Sequence, residues 1–144
     1  MTQAPEQIIH ANCVDIDGSG ILIQGKSGSG KSTLTLQLMA LGAHLVSDDQ
    51  TELRVVNQHL VATAPTAISG LIEARGVGIL SVPSIPSTKI KFLLDLESLT
   101  TERLPLHRSK SILGLNIAVI QKSETPAFAE AVFLAAKFGL SKHV

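Results

Sequence analysis

The run Gly25-Lys26-Ser27-Gly28-Ser29-Gly30-Lys31-Ser32 meets every fixed position of the pattern G-x-x-x-x-G-K-[ST]. Its glycines open backbone conformations closed to other residues, so successive N–H groups can converge on an anion at the start of a following helix. Lys31 is placed to reach the β- and γ-phosphates of a nucleotide. Ser32 is placed to put its hydroxyl on Mg²⁺, which takes few protein oxygens and keeps water and phosphate oxygens as its other ligands. Thr33 closes the phosphate-binding stretch at its helical end. The competing reading is a Gly/Ser turn before a helix. At ordinary amino-acid usage the four fixed positions coincide in only about half a percent of chains this long, which favours phosphate binding.

A phosphate loop holds a donor but does not activate an acceptor, so carboxylates are the next requirement. Asp48-Asp49 follows the apolar Leu45-Val46. With Ala43 to Val46 as a strand beside the loop's own strand, both carboxylates emerge at its carboxyl end, where open α/β sheets bind ligands. One would accept a hydroxyl proton while the other attends Mg²⁺; the alternative is a solvated Asp-Asp turn helped by Ser47 and Gln50. Glu73 and Arg75 flank Ala74 on one face of an extended segment, which by itself reads as a surface ion pair of little weight. His10, at a strand start, is either structural or an acid–base group. His44, His59, His107 and His143 have no ligand-like spacing with one another or with Cys13, so no zinc site is expected. An Asn-Lys-x-Asp guanine motif and a His-Arg-Asp catalytic loop are both missing, which argues against a GTPase and a protein kinase of that type.

The elements that must position these groups can be read from apolar spacing. Ile21 to Gln24 leads into the loop, and Leu34, Leu36, Leu38, Met39 and Leu41 follow without a break until Gly42, giving strand, loop, and helix with a glycine stop. Upstream, Met1 to Glu6 reads as a loose tail, Ile8 to Ile16 as one strand and Asp17-Gly18-Ser19-Gly20 as a hairpin turn. Downstream, Leu53 to Val56 and Leu60 to Ala64 flank an Asn57-Gln58 turn. Gly76 to Leu80 and Ile90 to Leu94 are further strands, and Pro83 to Ser87 is a loop between them. Thr125 is expected to cap a final helix with Pro126 at its first position. The fold class is α/β, strand-rich, with two principal helices, without the regular alternation of a GTPase or a nucleoside monophosphate kinase.

A chain of 144 residues fits one domain that can bury about two-thirds of its extended surface. Its 12 basic and 12 acidic side chains balance, and no basic run stands out, so nothing points to nucleic acid or a membrane surface. With no Trp or Tyr and four Phe, the core must be aliphatic, and stacking on bases is disfavoured. The single cysteine, Cys13, excludes an internal disulfide and, between apolar neighbours, reads as a small buried side chain. Without a signal peptide or an apolar run of spanning length, a cytoplasmic location is expected.

Four segments together resemble the catalytic domain of the bacterial HPr kinase/phosphorylase family: Ile9 to Asp15, Gly25 to Ser32, Leu45 to Gln50 and Ile72 to Ile79. Their order and spacing match across roughly Ile8 to Val82. The resemblance implies a P-loop kinase of the phosphoenolpyruvate-carboxykinase type over 1–144, using ATP and Mg²⁺ to phosphorylate a serine of an HPr-like phosphocarrier protein. It also implies roles for residues: Asp48 as general base, and as acid in reverse phosphorolysis; His10 in support; Lys31 on phosphate; Ser32 and Glu73 on Mg²⁺ with Asp49 nearby. A homo-oligomer, a hexamer by resemblance, is expected. The chain is similar to short proteobacterial forms without the amino-terminal domain of longer members. Leu106-His107-Arg108-Ser109-Lys110 takes the place of the family's Arg-bearing loop but departs from its pattern, leaving Arg108 and the phosphorylase direction open. The residues by themselves also leave open a small-metabolite kinase and a nucleotide-responsive binding module.

Overall fold

The computed structural model describes residues 5–141. The chain runs β1 (Gln7–Ile9), β2 (Ala11–Ile16), β3 (Ser19–Gln24), α1 (Lys31–Leu41), β4 (His44–Ser47), β5 (Thr51–Val56) and β6 (His59–Thr63). A 3-10 turn (Thr66–Ile68) precedes β7 (Leu71–Ala74), β8 (Gly78–Ser81), β9 (Ser87–Leu99), β10 (Arg108–Ile112), β11 (Leu115–Lys122) and α2 (Phe128–Phe138). Two hairpins close where the sequence places turns: Asp17 and Gly18 take φ of 50° and 86°, and Asn57 and Gln58 take 50° and 65°. Positive φ at both loop residues twists a two-residue turn in the sense its strands need. Asp15 anchors the first hairpin, accepting from the backbone N–H of Gly18 and the hydroxyl of Thr88 on β9.

Nine strands form one sheet in the order β1-β5-β6-β9-β3-β2-β4, with β11 on the outer edge of β9 and β10 beyond it. β9 lies parallel to β3 on one side; on the other it pairs first with β6, antiparallel, and then with β11, parallel. Alternation sorts the core onto the two faces. Val14, Ile16, Ile21, Ile23, Phe92 and Leu94 pack under α1 and α2 with Leu34, Leu38 and Val132. Cys13, Leu22 and Leu93 point the opposite way and meet Leu53, Leu60, Ala62 and Ile117. β7 and β8 form a separate hairpin with Ile72 and Ala74 turned inward.

Several expectations change. The strand expected from Ile8 to Ile16 breaks at His10, because β1 pairs with β5 whereas β2 pairs with β3 and β4. β4 is not beside β3: β2 lies between them, antiparallel to both, so β3 and β4 still end at the same sheet edge. Thr125 and Pro126 do not start α2; Ala127 is its N-cap and makes no side-chain cap bond. Arg108 begins a strand rather than sitting in a loop, because Arg108–Ile112 pairs fully with Leu115–Val119. Of the expected tail, residues 1–4 lie outside the described residues, while Glu6 is held to β5 by its backbone N–H and by a carboxylate that accepts from Val55. Among the described residues no helix is long and apolar enough to cross a membrane.

Candidate active site

The loop Gly25 to Gly30 joins the end of β3 to the first turn of α1. Gly25 has no room for a side chain, since a Cβ there would lie 2.4 Å from the Ser29 hydroxyl and 3.2 Å from Leu96. Gly30 caps α1 at φ 101°, a left-handed conformation that costs other residues about 1–2 kcal/mol. The Lys31 ammonium folds back onto the Gly25 carbonyl at 2.5 Å, so the buried stem of this lysine delivers its charge to the loop's first residue. The first turn of α1 carries no acidic residue, leaving its N–H groups and dipole open to an anion. Lys26, Ser27, Gly28, Ser32 and Thr33 are exposed around this mouth.

Asp48 and Asp49 follow β4 at the same edge. A register shift between Cys13 and Val14 bulges the β2–β4 pair just before them, a device that re-aims a strand end. The backbone then reverses abruptly: Asp49 takes φ 71° and the Gln50 N–H donates to the Asp48 carbonyl at 2.8 Å, the bond of a three-residue γ-turn with positive central φ. The Ser47 hydroxyl donates to the Gln50 carbonyl across it. The inward packing of Ile72 and Ala74 brings β7 alongside, and the Glu73 backbone N–H donates to the Asp48 carboxylate at 3.2 Å. Burial holds the Asp48 carboxyl above the ordinary aspartate range; the charges of Asp49 and Glu73 add to this, and hydrogen bonds from Glu73 and Asn12 oppose it.

The structure thus joins Asp48, Asp49 and Glu73 into one acidic corner at the edge from which the Lys31 loop also emerges. It pairs His10 differently from the expectation: Nε2 lies 2.5 Å from Asp49 Oδ1, not from Asp48, and this pair is largely solvent-exposed. Among the described residues Glu73 and Arg75 form no ion pair, and no three-residue His, Cys, Asp or Glu cluster could cage a metal. Ser32, Glu73 and Asp49 carry only oxygen donors, the chemistry a hard cation takes alongside phosphate and water. Arg108 is exposed and lines a cavity of about 350 Å³ with Val119, Phe128 and Leu140, whose lining includes neither Lys31 nor Asp48. A second cavity of about 260 Å³ opens beside the glycine loop, between Ser29, Thr33, Gln37 and Phe128. Cys13 is buried, and burial, with the Asp15 charge, pushes its thiol far up, so it is inert packing.

Three contributors carried no role in the sequence reading. Asn12 and Thr35 are buried polar side chains that bond each other; Lys122, at the end of β11, points its ammonium at the Ser29 carbonyl, 3.4 Å away. Asn12 shares the strand parity of Val14 and Ile16, so a polar residue on that apolar face was a legible signal. Thr35 sits likewise on the helix face of Leu34 and Leu38. Nothing in its spacing marks Lys122.

Residues 1–121 match the family model of the HPr Serine kinase C-terminal domain. The HPr kinase/phosphorylase of Clostridium tetani is 40% identical over 96 residues, which is 67% of this chain and 31% of that protein. Its counterpart in Clostridium acetobutylicum is 46% identical over 82 residues, 57% of this chain and 27% of the relative. The chain spans only 27% to 33% of the length of the curated relatives first matched. Among solved structures, the Hpr(Ser) kinase/phosphatase from Coxiella burnetii matches with a TM-score of 0.78 at 28% identity, covering 92% of this chain and 89% of that one.

Proposed function

The chain belongs to the family of HPr serine kinase C-terminal domains, and from that premise we propose that it is an ATP-dependent protein-serine kinase acting on an HPr-like phosphocarrier protein. Residues 1–144 form its catalytic domain, a P-loop kinase of the phosphoenolpyruvate-carboxykinase type. The observation that carries the reading is Asp48: a half-buried carboxyl, raised by burial, at the same sheet edge as the Lys31 loop. A base tuned upward toward working pH is suited to accept the serine proton as the phosphoryl group arrives, and to return it in phosphorolysis. The loop from Gly25 to Thr33 holds the donor phosphates, with Lys31 as their fixed cation. Ser32, Glu73 and Asp49 would hold Mg²⁺, which supplies neutralisation of the β- and γ-phosphate charge. His10 tethers Asp49, and through it the corner. Arg108 lines the cavity beside α2, apart from Lys31 and Asp48, and its role in the phosphorylase direction stays open.

One observation favours a protein acceptor over a small metabolite: the hairpin that carries Glu73 exposes Val77 and Ile79 at 79% and 73%, an apolar surface for such a partner. Assembly into a homo-oligomer, a hexamer by resemblance, belongs to the same proposal and is checked by light scattering. The main test incubates the protein with ATP, Mg²⁺ and HPr-like proteins of its organism and reads added phosphate by intact mass. Transfer to one of them is expected; consumption of ATP with metabolites alone would instead establish the small-molecule reading.

A further inference from the structure

We propose that Asn12 is a positioning residue, which clips the strained turn carrying Asp48 to the helix that starts at the phosphate loop. The Asp49 backbone N–H donates to Asn12 Oδ1 at 2.8 Å, and Asn12 Nδ2 donates to Thr35 Oγ1 at 2.8 Å. The Thr35 hydroxyl donates in turn to the Lys31 carbonyl at 2.7 Å. Asn12 is 1% exposed and Thr35 fully buried, so water is kept from the bonds between Asn12, Thr35 and Lys31, while the bond from Asp49 is part-buried. The chain of three bonds ends at the backbone of the residue that carries the loop's ammonium. Its other end is a residue with φ 71°, a conformation that persists in a non-glycine residue only where its surroundings hold it. Asn12 shares its strand parity with Val14 and Ile16, whose apolar side chains pack under α1. What an amide adds is a donor and an acceptor on the two parts of the site whose separation transfer depends on.

This inference rests on Asp48 as the base, and the experiment separates the two. Asn12→Val should bind ATP with an affinity close to that of the parent protein, while kcat falls on the order of 10- to 100-fold, as expected for an ångström-scale misplacement. Thr35→Val, which removes only the hydroxyl, should lower kcat in the same sense, and Thr35→Ser, which keeps it, should recover most of the loss. A folded Asn12→Val protein with unchanged kcat, or a Thr35→Ser protein that recovers none of the Thr35→Val loss, overturns the clip. Loss of transfer in Asn12→Val together with full transfer in Asp48→Asn overturns the base reading instead.

Discussion

Gly25 and Asp48 divide the site between two kinds of constraint, one steric and one electrostatic. Gly25 is needed for closeness rather than for φ: its missing Cβ is the space the Ser29 side chain occupies. Gly25→Ala should therefore spread the loop and weaken ATP binding on the order of 10-fold, about 1.4 kcal/mol, with secondary structure intact. Calorimetric titration checks this, and an affinity equal to the parent's would show that the loop closes without that contact. Asp48→Asn is the complement: it should retain ATP affinity and lose transfer, read by intact mass, because it removes the proton acceptor and leaves the loop untouched. Full transfer by that variant would end the assignment of Asp48 as base. Both residues were legible in the sequence, one from motif spacing and the other from carboxylates after an apolar strand. The pairing of His10 with Asp49 was not, since a γ-turn decides which of two adjacent carboxylates faces a given neighbour and spacing carries no such information.

At the scale of elements, what the sequence made plain was local. Turn residues placed the β2–β3 and β5–β6 hairpins, and unbroken apolar spacing ended by Gly42 placed α1. What it hid was pairing between distant segments. β2 enters between β3 and β4 although β2 and β3 already satisfy each other as a hairpin, and β9 gathers β3, β6 and β11 from across the chain. Such choices follow from total burial on two faces, not from any one strand's pattern. The hairpin turn at Asn57-Gln58 offers an element-level test. Gln58 sits at φ 65°, which glycine tolerates without a steric penalty, so Gln58→Gly should stabilise the protein by about 0.5–1 kcal/mol, the left-handed penalty less glycine's added chain entropy. In the opposite direction, Leu38→Ala empties a fully buried position between α1 and the sheet and should cost about 3 kcal/mol. Denaturant unfolding measures both, and a destabilised Gln58→Gly would mean that the glutamine side chain, not its backbone, holds the turn.

For the molecule as a whole, the acidic corner is a place where the proposed function opposes folding. Burial raises the Asp48 carboxyl, so the folded protein binds that proton more tightly than the unfolded chain does. The stability this contributes is fully present below the ordinary aspartate value, about 4, and is lost as pH rises through the raised folded value. Where Asp48 is ionised, the native protein carries a carboxylate half out of water beside two others, a condition suited to the proposed proton transfer and unfavourable for the fold. Asn at position 48 is neutral at every pH and escapes the loss. Asp48→Asn should consequently unfold at a higher Tm than the parent protein at neutral pH, and the difference should shrink as pH falls through the raised value. Differential scanning calorimetry across that range decides it. A gap that widens toward acid would mean that the hydrogen bonds from Glu73 and Asn12, which lower the carboxyl, outweigh its burial, and Asp48 would then enter the reaction as an ordinary surface carboxylate.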